Sequence, residues 1–447
     1  MNQACGSRMN ANGIQVSSLN LRKPRLLWAS VYCLLDTSSG ASIAVREMLR
    51  QLAHRGYDVS ILGATVFDHD RGTAGLQGAW ADVQASRGGL VSLKDGALEH
   101  KLFATTSTRR EQMTSFEEWA WFSLYQQALA TCKPDVVFYY GGQPFDLLIA
   151  CEARAREIPA VFYLANGNYT QARWCRDVDL VLTDSQATAD MYTRRLGVAP
   201  RPVGAFIDPA RVLASEHTRE RILFINPILA KGVAVVIRLA MLLEKRRPDI
   251  VFEVVESRGK WSDILRSVSA AMGQPREMLT NVVATPNTND MRPVYGRARL
   301  LVAPSLWWES SGRVLAEAML NGIPAICTDR GGMPEMVQDG GIILKLGAGY
   351  YEEPYTGVPP DEALEPLLQR IEVLYDDEAQ YAELAARALR VGRTRHPLNL
   401  STQRLLQALQ PLVDRQAGDK DAGAAVRQWH RHGLDDRWAL GISDRAQ

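Results

Sequence analysis

Glu309 and Glu317 stand eight positions apart in the run Ala303–Glu335, APSLWWESSGRVLAEAMLNGIPAICTDRGGMPE. A carboxylate accepts hydrogen bonds on two oxygens, which suits a sugar or ribose with neighbouring hydroxyls. The apolar run Leu300–Ala303 before them reads as a strand, and Pro304 and Ser305 open a loop that Glu309 ends. Ser310 and Ser311 are residue types that cap helices, and Gly312 removes bulk at the first turn of a helix predicted over Gly312–Leu320. The first-turn amides of such a helix are unpaired and, with the helix dipole, favour an anion such as a diphosphate. At about 100° per residue, Glu309 and Glu317 fall on roughly the same side. One carboxylate is then placed for a sugar hydroxyl and the other for a ribose.

Two further pieces fit an anionic ligand. Phe224–Gly232, FINPILAKG, reads as a strand, a loop with Pro227, and Lys231-Gly232 opening a helix. A lysine there can lie over a phosphate. Arg330–Glu335, RGGMPE, is a Gly-Gly turn whose backbone can come close to a ligand, with Glu335 as a helix cap or a ligand contact. Trp307 and Trp308 are candidates for a sugar-stacking wall or for core, and Asp184-Ser185 reads as a helix start.

These residues need strand ends to hold them, and the chain supplies strands at regular intervals. Arg25–Ser30, Val59–Leu62, Asp135–Tyr140, Ala160–Leu164 and Leu180–Thr183 are predicted strands, with helices over Ile43–Arg55 and Arg109–Cys132. On the second helix Phe116, Trp119, Phe122, Leu124 and Leu129 are expected near one side. The pattern restarts with strands at Arg221–Ile225, Val251–Val255, Val282–Ala284, Leu300–Ala303, Ala325–Cys327 and Gly341–Leu344. Helices are predicted over Gly232–Lys245, Ser262–Met272, Pro293–Arg297, Glu365–Tyr375 with Pro366 in its first turn, Glu378–Val391 and Leu398–Val413. Strands separated by helices mean parallel sheets, so the fold class is α/β with two doubly wound, Rossmann-like domains facing across a cleft. The boundaries expected are a polar tail over 1–23, a first domain over 24–208, a second over 209–395, and a C-terminal helix with a mobile tail over 396–447.

Composition removes several classes. Lys+Arg number 51 and Asp+Glu 50, a net charge of +1, so nucleic acid is not an expected partner. Cys5, Cys33, Cys132, Cys151, Cys175 and Cys327 form no Cys-x-x-Cys pair and read as reduced thiols in a cytoplasmic protein. Met1–Pro24 has no apolar core of a secretory signal. Val233–Leu243, interrupted by Arg238, falls short of the ~20 residues that span a bilayer. Peripheral contact with the inner membrane face stays open, although the basic residues Arg427, His430, Arg431 and His432 read as a solvated face. No Asp-x-Asp or His group is read as a metal site, and no G-x-G-x-x-G follows a strand, so neither a metal nor a nicotinamide cofactor is expected.

Lys-Gly after the first strand of the second half, Pro-Ser, the Glu pair, Glu-Ala-Met, Gly-x-Pro and Gly-Gly-x-x-Glu occur in order within 221–345. This ordered set resembles the second domain of family 4 retaining glycosyltransferases of the GT-B fold, and the layout is similar over roughly 25–410. The resemblance implies transfer of a sugar, hexosyltransferase-like, from a UDP- or GDP-sugar to a glycan, glycolipid or small molecule. It implies that Glu309 lies at the donor sugar and Lys231 on the leaving diphosphate. Glu317 would bind the ribose, the amides of Ser311, Gly312, Arg313 and Val314 the sugar and phosphate, and the loop of Thr285, Pro286 and Asn287 would frame the base.

Two departures stand out. Asn226-Pro227 takes the place of a family Gly-Arg, so one cation is missing, and Arg258 is the candidate to replace it. The first domain lacks the family's Gly-Gly loop, with Gly40 and Ala41 as the small residues near an acceptor, and it lacks a His after its middle strands. Tyr140-Gly141-Gly142-Gln143 and Asn166-Gly167-Asn168-Tyr169 stand there instead, with Gly142, Asn166 and Gly332 expected on the acceptor and sugar side. These losses keep two other readings in play: a catalytically weak nucleotide-sugar-binding or scaffold protein, and a nucleotide-sugar epimerase.

Overall fold

The computed structural model describes residues 22–417, so Cys5 and the basic residues Arg427–His432 lie outside the described residues. The first sheet comprises β1 (Arg25–Ala29), β2 (Asp58–Ala64), β3 (Leu90–Asp95), β4 (Leu98–Phe103), β5 (Val136–Tyr139), β6 (Ala160–Leu164), β7 (Leu180–Thr183) and β8 (Arg201–Pro202). The second comprises β9 (Arg221–Ile225), β10 (Phe252–Val255), β11 (Val282–Thr285), β12 (Ala298–Ala303), β13 (Ala325–Thr328) and β14 (Gly341–Leu344). The orders are β3-β4-β2-β1-β5-β6-β7-β8 and β11-β10-β9-β12-β13-β14. Apart from the antiparallel pair β3 and β4, every pairing is parallel. In each sheet the order reverses beside its first strand, at β1/β5 and at β9/β12. A crevice opens beyond the carboxyl ends at such a switch point.

Helix Val233–Arg246 shows why the second sheet is stable. Val233 through Ile237, Leu239, Ala240, Met241 and Leu243 are all buried, because sheet and neighbouring helices enclose it. A helix apolar nearly all round belongs inside a domain. The last helix, Leu398–Ala417, leaves the second domain and returns to the first. Its Leu405, Leu409 and Leu412 pack with Leu26, Trp28 and Leu49 in one cluster.

Three expectations are corrected. The helix expected from Arg109 begins at Ser115, where Thr114 and Glu117 form a reciprocal cap. It buries Trp121, Tyr125 and Leu129, whereas Phe116 and Trp119 are 84% and 72% exposed, so the apolar face lies elsewhere than expected. The helix expected from Glu365 begins at Asp361 and holds Pro366 in its interior. The β3–β4 hairpin went unread, although Asp95-Gly96 is a hairpin-turn signal and Leu98, His100 and Leu102 alternate inward.

Candidate active site

Lys231 and Glu309 meet where the loops after β9 and β12 are laced together. Gly232 has φ +76°, and a Cβ there would stand 2.0 Å from the Pro304 carbonyl oxygen, so only glycine allows the approach. The amides of Leu306 and Trp307 donate to the Ala230 carbonyl at 2.9 and 3.3 Å. This lacing puts the Lys231 ammonium on Glu309 Oε1, beside the Ser305 hydroxyl, which donates to the same oxygen at 2.7 Å. The ammonium also lies 5.6 Å from the Trp307 ring centroid. Burial works to raise the Glu309 carboxyl, but the Lys231 charge and the bonds from Lys231 and Ser305 outweigh it, so Glu309 stays below the ordinary range.

Glu317 sits in a separate network. Its side chain is 9% exposed, with Oε2 accepting the Tyr295 hydroxyl and Oε1 paired with Arg313 Nε at 2.7 Å. Arg313 also donates to the Phe206 carbonyl at 2.8 Å, on the stretch that joins the domains. The expectation of one shared side for Glu309 and Glu317 is corrected. The helix begins at Arg313, and its cap Gly312 is left-handed at φ +74°, so no continuous helical screw connects the two residues. Ser310 and Ser311 are not caps either, since both hydroxyls turn to the first domain. The amides of Ser311, Gly312, Arg313 and Val314 have no acceptor among the described residues, which leaves four donors at the switch point.

The Gly-Gly turn approaches protein, not open space. A Cβ on Gly331 would meet the Glu309 carbonyl oxygen at 2.1 Å, and one on Gly332 would meet that of Ser310 at 2.1 Å. Glu335 does cap a helix, but in the other domain: its carboxylate accepts the amides of Gln186 and Ala187. Trp308 donates to Thr188 Oγ1 at 3.1 Å, also across the domains.

Arg258 faces the cleft with its guanidinium already engaged. It donates to the Ser38 carbonyl and to Asp68 Oδ2, both at 3.1 Å, while its amide donates to Asn226 Oδ1 at 3.0 Å. The Ser38 contact places Arg258 next to the turn that leads into Gly40 and Ala41, the first residues of helix Gly40–His54. Thr285, at the end of β11, donates to Glu253 at 2.8 Å. Beyond Pro286, Asn287 lines an open hollow of about 290 Å³ with Arg71, Thr73, Gln77 and Trp80 of the first domain. Asn166 is bridged through its backbone to Glu309, and its side-chain oxygen accepts the Asn168 amide at 3.0 Å. Gly142 donates its amide to Asp146 Oδ2 at 2.8 Å, and a Cβ there would stand 3.1 Å from the Tyr169 ring.

Sequence reasoning missed three groups that reach the cleft. Arg71 donates across it to the Ser257 carbonyl, Asp68 binds Arg258, and Asp184 accepts the Ser311 hydroxyl at 3.1 Å. For Asp184 a signal existed, because it directly follows a strand whose carboxyl end must face the crevice.

HepE from Anabaena in complex with UDP-glucose superposes with a TM-score of 0.60 at 15% identity, covering 86% of this chain and 99% of that one. Sucrose-phosphate synthase from Thermosynechococcus elongatus gives 0.63 at 15% identity, over 88% and 100%. The catalytic domain of starch synthase IV from Arabidopsis thaliana, bound to ADP and acarbose, gives 0.55 at 13% identity, over 88% and 100%. The fold is GT-B. Residues 209–380 match the family model described as glycosyl transferases group 1, and this stretch carries Lys231, Glu309 and Glu317. Fold and match together support a GT-B glycosyltransferase. No curated protein matches the chain by sequence. No helix among the described residues is long and apolar enough to cross a membrane.

Proposed function

We propose that the protein is a retaining, family 4-type glycosyltransferase that moves a hexose from a UDP- or GDP-sugar without a metal. The observation that carries this reading is the Lys231–Glu309 pair beside four unpartnered amides at the switch point of the second sheet. A donor diphosphate over those amides offers Lys231 a new partner. As Lys231 turns to the phosphate, Glu309 is released to accept a hydrogen bond from the donor sugar. Lys231 and the amides then stabilise the negative charge that gathers on the departing diphosphate. For retention, the acceptor hydroxyl attacks on the face the diphosphate leaves, and the departing phosphate oxygen takes its proton. Side chains thus orient the reactants and steady charge, with no histidine needed as base. The acceptor is a glycan, glycolipid or small molecule, and the reaction is placed in the cytoplasm, at the inner membrane face if the acceptor is a lipid.

Calorimetric titration with UDP, GDP, ADP and TDP, without metal, tests the reading on wild type and Lys231→Ala. Selective binding of one diphosphate, weakened about tenfold or more by the substitution, is expected. Binding of none by the folded protein would overturn it.

A further inference from the structure

The four free amides are held in place from outside their own helix. Gly312 has no side chain to cap it, and the two serines before it reach into the first domain. Thr183 Oγ1 lies 3.2 Å from Ser310 Oγ, and Thr188 Oγ1 donates to the Ser310 carbonyl at 3.4 Å. Between them Asp184 Oδ2 accepts from Ser311 Oγ at 3.1 Å, and its Oδ1 accepts from the Tyr163 hydroxyl at 2.6 Å. Tyr163 is 2% exposed, so its packing fixes the orientation of the Asp184 carboxylate. Of these contacts only that of Asp184 brings a charged acceptor, the stronger kind of hydrogen bond.

We propose that Asp184 is a positioning residue: from the first domain it holds the Ser311 hydroxyl and thereby sets the Ser311–Val314 amides for the donor diphosphate. The proposal rests on the transferase reading above. It makes donor affinity depend on a residue of the opposite domain.

The charge on Asp184 gives a second readout. Burial pushes its carboxyl up to about 6, against bonds from Tyr163, Ser311 and Ser310 and the charge of Arg313. The titratable and charged groups facing it are Tyr163 from β6 and Arg313 from helix Arg313–Leu320, while Glu335 binds the adjacent amides of Gln186 and Ala187. Below about 6 the carboxyl takes up a proton and Ser311 loses its charged acceptor. Donor affinity in the wild type should therefore fall as pH drops from about 7.5 to about 5.5. A nucleotide sugar is the right probe, because its diphosphate has no terminal phosphate monoester titrating near 6, as UDP does.

The test uses the full chain with Asp184→Ala and Asp184→Asn. UDP-glucose, GDP-glucose, ADP-glucose and TDP-glucose are titrated, and exchange of the hydrogen-bonded amides over residues 315–320, which follow the free ones, is followed without ligand. Asp184→Ala should bind the selected nucleotide sugar roughly tenfold more weakly and exchange at 315–320 roughly tenfold faster. Asp184→Asn, isosteric and the deciding variant if the alanine form fails to fold, should weaken binding less and remove the pH dependence. Wild-type affinity, exchange and pH profile in Asp184→Asn, with binding still weakened in Lys231→Ala, would overturn the proposal alone. Absence of nucleotide-sugar binding by the folded wild type would overturn the transferase reading, whatever the exchange shows.

Discussion

Glu309 and Asp146 are carboxylates in loops beyond strand ends, one in each domain, and burial acts on both. Lys231 stands against Glu309 and keeps it ionised. Asp146 has two amides on Oδ2, from Gly142 and Gln143, but Oδ1 is buried without a partner, and burial, despite Arg110, raises its carboxyl to about 6. The second domain thus holds its carboxylate ionised by a paired cation on short, laced loops. The first holds a costly carboxyl beside the rings of Tyr169 and Tyr32, while the charges it brings to the cleft are those of Arg71, Asp68 and Asp184.

Glu317→Ala should break this contrast most severely. It leaves the buried Tyr295 hydroxyl without its acceptor and the half-buried Arg313 with only the Phe206 carbonyl, at roughly 3 kcal/mol, and both melting temperature and diphosphate affinity should drop. Gly331→Ala comes next: its φ of +67° and the Glu309 carbonyl in the way predict a loss of roughly 1–3 kcal/mol. Thermal unfolding should register it together with weaker donor binding. Asp146→Asn should move stability the other way. A folded carboxyl raised from 3.8 to about 6 loses stability as pH climbs through that window. The loss amounts to roughly 3 kcal/mol once both states are ionised. Denaturation at pH 5 and pH 8 should therefore show the asparagine variant gaining at pH 8 relative to wild type. Trp119→Ser, on the exposed helix face, should change the unfolding free energy by no more than about 0.5 kcal/mol and leave diphosphate affinity intact.

The two domains were also unequally legible. Lys231-Gly232, Glu309 and Glu317 sit in local signals, strand then loop then glycine, which a single sequence displays. Strand periodicity likewise gave the strands of the second sheet and the five central strands of the first, but not β3, β4 or β8. The Asp184–Ser311 contact was hidden because it joins residues 127 apart in the chain. The Ser310-Ser311 cap was misread because capping propensity is local, whereas both hydroxyls answer to the other domain. The displaced face of the Ser115 helix has a similar origin: an aromatic residue signals burial only on average, and Phe116 and Trp119 find no covering element among the described residues.

The return of the last helix to the first sheet has a consequence for synthesis. Leu26, Trp28 and Leu49 emerge early, yet Leu405, Leu409 and Leu412, which cover them, come some 350 residues later. At about 5–20 residues per second, the ribosome leaves that surface bare for roughly 20–70 s. The second domain can close its own core meanwhile, so the nascent first domain is the part that chaperones should hold longest.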